Sequence, residues 1–214
     1  MELRFTLLTD GSSDRVLIPV LTWLLQQAAP ATEISPQWAD FRFLPQPPTT
    51  LYERIVRALD FYPCDLLFVH RDTENAERGV RQSEITAALS QLYTEANMDV
   101  PCVFVIPVRM QEAWLLIEEQ AIRRAAGNPR GRVRLEMPRR DRLEAVPDPK
   151  ATLYALLRTA SEQTGRRLHR LSLPALRFRI AELIQDFTPL RVLPAFAALE
   201  HDLTYVVRQN HWDR

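Results

Sequence analysis

Short apolar runs alternate with stretches of helical periodicity through the first half of this 214-residue chain, and few folds accept that order. Leu3–Thr9 reads as a buried strand, as do Asp65–His70 and Val103–Val108, with a shorter strand at Phe41–Leu44 after a Pro-containing turn. Behind a cap at Ser12 or Ser13, residues Val16, Leu17, Val20, Leu21, Leu24 and Leu25 recur at helical spacing. Thr50 and Glu53 form a capping box for a helix carrying Ile55, Val56 and Leu59. A third helix is predicted from about Ser83, with Ile85, Ala88, Leu89 and Leu92 on one face, and Met110–Ile117 reads as helical. Such short βα units predict an α/β fold with a mostly parallel sheet flanked by helices.

The second half shows no convincing strand series. An α/β domain over residues 1–118 is expected to lead through an Arg- and Pro-rich connector, 119–149, into a helical appendage, 150–214. Asp148 caps the first appended helix, with Pro149 at its first position. Two more helices are predicted near 175–186 and 189–208.

With 46% hydrophobic and 25% charged residues, the composition is that of an ordinary globular protein. Its apolar stretches are too short and too interrupted for a membrane span, and the N-terminus does not read as a signal peptide. Cys64 and Cys102 have neither CxxC nor metal-ligand spacing, so a reducing, cytoplasmic setting is expected. Zero net charge hides an asymmetry. Residues 1–107 hold 14 Asp and Glu against 8 Arg, a net −6, and the remainder is +6. An acidic half joined to a basic half suits a polyanionic substrate.

Two acidic clusters stand directly after predicted strands: Asp10-Gly11-Ser12-Ser13-Asp14 and Asp72-Thr73-Glu74. In open parallel sheets chemistry sits at the carboxyl ends of the strands, so four carboxylates are expected along one edge. Like charges so close need neutralising, and a hard divalent cation with oxygen ligands does this. Asp10, Asp72 and Glu74 are the expected ligands. Asp14, one turn into the helix, is either a further ligand or a favourable first-turn charge. Glu112, after the fourth strand, is either a ligand or orienting group at the same edge, or a solvated glutamate at a helix start. Arg109, Arg130, Arg132, Arg134, Arg139 and Arg140 are candidate phosphate contacts, with a merely solvated loop the alternative for the last five.

The order strand, acid-Gly-x-Ser-Asp, helix, then a later strand ending in Asp-x-acid, resembles the TOPRIM domain of topoisomerases, primases and OLD-type nucleases. Glu-Gly-x-[Ser/Thr]-Asp of the OLD-type branch corresponds to residues 10–14, and the Asp-x-Asp motif to Asp72-Thr73-Glu74. Both departures exchange one carboxylate for another, with Asp10 where the family has Glu. The resemblance covers residues 1–118. It implies a TOPRIM/Rossmann-like sheet and an Mg2+- or Mn2+-dependent nuclease cleaving DNA or RNA, with Asp10, Asp72, Glu74 and Glu112 catalytic. It also implies an ATPase partner, as in phage-defence systems. The alternative is a catalytically inactive TOPRIM-like module that binds a partner protein or nucleic acid, a reading that the Asp10 exchange favours.

Overall fold

The computed structural model describes residues 2–73 and 77–214. By its internal contacts the chain divides into two compact units: Met1–Pro107 together with Ala198–Arg214, and Val108–Ala197.

The first unit is a Rossmann-like α/β structure around a four-stranded, all-parallel sheet. Strand β1 is Glu2–Leu8, β2 Glu33–Trp38, β3 Leu66–His70 and β4 Cys102–Val105, in the order β2-β1-β3-β4. Every residue of β3 is buried, and β1 is buried from Phe5 to Leu8, which is why both read as continuous apolar runs. The register pairs Leu7 with Trp38 on one side of β1, and Leu8 with Val69 on the other.

From β1 the chain steps one way to β2, then returns past β1 to β3 and β4. Right-handed crossovers therefore put helix α1 (Leu17–Ala28) on one face, and α2 (Leu51–Phe61) and α3 (Arg78–Ala96) on the other. Helices α2 and α3 pack together. Ile55, Ala58, Ile85 and Leu92 close a core with Leu8, Leu67, Val69 and Ile106. The Thr50 capping box forms as predicted, the Glu53 amide donating to Thr50 Oγ1 at 3.2 Å and the Thr50 amide to Glu53 Oε2 at 3.1 Å.

Three local expectations are corrected. The second strand is Glu33–Trp38, with Phe41–Leu44 outside it. Pro36 lies within that strand and is tolerated because β2 is an edge strand. The segment Ser12–Val16 is a 3-10 turn, and α1 starts only at Leu17. Helix α3 begins at Arg78, five residues before Ser83.

In the second unit, a 3-10 turn at Gln111–Leu115 precedes α4 (Glu119–Ala125), α5 (Pro149–Ser161), α6 (Gly165–His169) and α7 (Leu173–Leu183). Helix α8 (Pro194–Gln209) starts in this unit, and its residues from Ala198 belong to the first. Asp148 caps α5 by accepting from the Ala151 amide at 2.8 Å, with Pro149 at the first position. Helix α4 packs on α5 and α7. Trp114 is buried edge-to-face against Phe196, their ring centroids 5.4 Å apart. Among the described residues no strand follows β4, and no helix is long and apolar enough to cross a membrane.

Candidate functional site

The strand order reverses between β1 and β3, and ligands of open α/β sheets bind at the carboxyl ends of strands at such a switch point. The first acidic cluster leaves β1 there and Asp72 leaves β3. Gly11 has φ −134 and ψ 159, extended backbone open to any residue, and a Cβ on it would make only ordinary contacts. Its contribution is an N–H that donates to Asp14 Oδ2 at 3.1 Å, while Ser13 Oγ donates to Asp14 Oδ1 at 2.6 Å. Asp14 therefore folds back to organise the turn and is buried.

Between Asp14 and Asp72 lies His70, the last residue of β3, whose side chain is 1% exposed. Its Nε2 is 3.2 Å from Asp72 Oδ1, and its Nδ1 is 3.6 Å from Asp14 Oδ2, within ion-pair reach but beyond a hydrogen bond. Alternation along the strand turns the next residue, Arg71, the other way. Arg71 joins a second network, in which Asp10 Oδ1 accepts from Arg54 Nη1 at 2.8 Å and from Arg71 Nη1 at 3.0 Å. Arg54 also donates to the Thr9 carbonyl. Arg71 Nη2 lies 3.1 Å from Glu84 Oε2, and Arg81 Nη1 donates to both oxygens of Glu84. Arg81 Nε returns to the Asp72 carbonyl at 3.0 Å. Among the described residues the edge thus gathers Asp10, Asp14, Asp72 and Glu84 with Arg54, Arg71 and Arg81.

Arg54, Arg81 and Glu84 were not singled out from the sequence. Their signal is weak: Arg54 stands one turn into α2, and Arg81 and Glu84 are an i,i+3 pair opening α3. Glu74 lies outside the described residues. Glu112 belongs to the second unit, where it is buried and accepts from Arg177 of α7, so its carboxylate is used in packing 3-10 turn to helix. Arg109 is exposed, with φ +61. Arg130, Arg132, Arg134, Arg139 and Arg140 are exposed on the same unit, Arg134 pairing with Glu136 and Arg139 with Asp141.

A magnesium ion keeps several waters and is commonly held by one or two carboxylates together with substrate phosphates. Asp10 and Asp72, just past the ends of adjacent strands and with side chains 46% and 23% exposed, offer that donor chemistry from separate hydrogen-bond networks. Among the described residues no group of three or more His, Cys, Asp or Glu is placed to cage an ion. No family model, curated protein or solved structure matches the chain.

Proposed function

We propose that the chain is a magnesium-dependent nuclease of the TOPRIM kind, cleaving phosphodiester bonds in DNA. The observation that carries this reading is the arrival of Asp10, Asp14, His70 and Asp72 from adjacent strands at the switch point of the sheet. Asp10 and Asp72 would hold the ion, with Glu74 as a further ligand. Bound there, magnesium supplies positive charge to a phosphate and acidity to a water. His70 fixes the Oδ1 side of Asp72, and Asp14 braces His70 from behind. Arg54 and Arg71, already at Asp10, are placed to exchange that carboxylate for a phosphate oxygen when the ion takes Asp10. We place the protein in the cytoplasm, in keeping with its two free cysteines, and an ATPase partner belongs to the same reading.

A second reading, a binding module without chemistry, is favoured by the two guanidiniums that share Asp10 Oδ1. Plasmid, linear duplex and single-stranded DNA incubated with magnesium, manganese or EDTA separate the two. Metal-dependent cleavage that vanishes in Asp72→Ala supports the nuclease. No cleavage with any metal, and DNA affinity unchanged in Asp72→Ala, would overturn it.

A further inference from the structure

Beside the acidic edge, at the carboxyl ends of β1 and β2, opens a cavity of about 230 Å3 whose aromatic and proline lining the chemistry above does not use. Trp38, Phe41, Arg42, Pro47, Pro48 and Arg54 line it, and Asp10 forms part of its rim. The Trp38 ring is fixed in place: its Nε1 donates to Thr9 Oγ1 at 3.1 Å, and Thr9 Oγ1 donates to the Gly11 carbonyl at 2.8 Å. The ring is thereby tied to the turn that carries Asp10. Guanidiniums of Arg42 and Arg15 stand 5.2 and 5.8 Å from its centroid. Arg42 also makes a two-pronged pair with Asp40, at 2.8 and 2.6 Å, which offsets its charge.

A half-buried indole, a flat guanidinium and two prolines recognise a planar π-system more readily than a flexible or purely charged ligand. The volume lies below the roughly 300–1,000 Å3 of sites for drug-sized molecules, so it suits one ring system. Arg54 and Asp10 connect the cavity to the phosphate chemistry. We infer that it takes a single unpaired nucleobase of a strand whose phosphate lies at Asp10 and Arg54, an inference that rests on the nucleic-acid reading for its phosphate. A base stacked and paired inside a duplex cannot enter, so the preferred substrate is single-stranded or frayed nucleic acid.

Fluorescence anisotropy with a labelled 12-mer tests this without mutation. The probes are the single strand, its duplex, and a fully abasic strand carrying the same phosphates, each with magnesium or EDTA and checked intact on a gel. The single strand should bind about tenfold more tightly than either of the others, the size of one base–aromatic stack. Trp38→Ala should bring the single strand to the abasic level without changing abasic affinity, and Trp38→Phe, which keeps a ring, should retain most of the difference. Equal binding of abasic and natural strands overturns the base site and leaves the phosphate reading standing. A nucleoside monophosphate that competes as well as the 12-mer overturns it too, giving the cavity to free nucleotides. Failure of all three probes to bind removes the nucleic-acid reading and the base site with it.

Discussion

Replacing Glu112 with alanine strips a buried guanidinium of its carboxylate. Glu112 and Arg177 leave only 3% and 6% of their side chains exposed, and Arg177 Nη1 donates to Glu112 Oε1. Removing one partner of such a pair costs about 3–5 kcal/mol, because the remaining charge stays buried. In a chain of this length each kcal/mol lowers the melting temperature by about 2–4 °C, so Glu112→Ala should lose about 6–20 °C. Adding Arg177→Met removes the second charge and fills its space with an apolar chain, which should recover most of that loss. Thermal unfolding followed by circular dichroism measures both variants, with DNA cleavage assayed well below the lower midpoint. On the proposed nuclease reading, Glu112→Ala should still cleave there. A variant that melts with the wild type but no longer cleaves would refute the packing role and return Glu112 to the reacting centre.

In Gly131→Ala the new Cβ would stand 2.6 Å from Asn128 Nδ2, 2.7 Å from Glu162 Oε1 and 3.0 Å from Arg123 Nη1. Glu162 Oε1 accepts from the Arg132 and Val133 amides and Asn128 Nδ2 donates to the Ala160 carbonyl, so the substitution should cost about 1–3 kcal/mol, read as a lower melting temperature. Hydrogen bonds from Arg42 hold the Asp40 carboxyl down at about 2, against an ordinary 3.8. A depressed acid stabilises the fold above the ordinary value and loses that contribution as pH falls from about 4 towards 2. NMR titration should find the low midpoint, and Arg42→Ala should return it towards 3.8. Burial pushes the Cys64 and Cys102 thiols up, Cys102 the further. Since the thiolate is the reactive form, iodoacetamide at pH 8 should label the unfolded chain more than tenfold faster than the native one, as mass spectrometry can follow.

β1 and β3 were legible because strands buried on both faces must be apolar throughout, and that demand leaves a local trace. The caps at Thr50 and Asp148 were legible for a similar reason: cap and amide lie three residues apart. Pro36 concealed β2, since a proline argues against a strand until the strand is known to be an edge. Gly79 and the polar residues around it concealed the first turn of α3. At the site, the acids could be named from their place after apolar runs. Their partners could not, because the meeting of Arg54, Arg71 and Glu84 depends on the chain returning from β2 past β1 to lay β3 on its far side. Glu112 shows the same limit, as its partner Arg177 is 65 residues away and nothing local marks the pair.

Asp10 is the common counterion of arginines that reach it from α2 and from just past the end of β3. With Asn at position 10, Arg54 would face Arg71 with no carboxylate between them, and Arg71 would share Glu84 with Arg81. The mouth would then carry one negative charge fewer beside two guanidiniums. On the proposed nuclease reading, that substitution should bind phosphate backbones more tightly than the parent, most visibly at low ionic strength. One carboxylate thus offsets two guanidiniums at this edge.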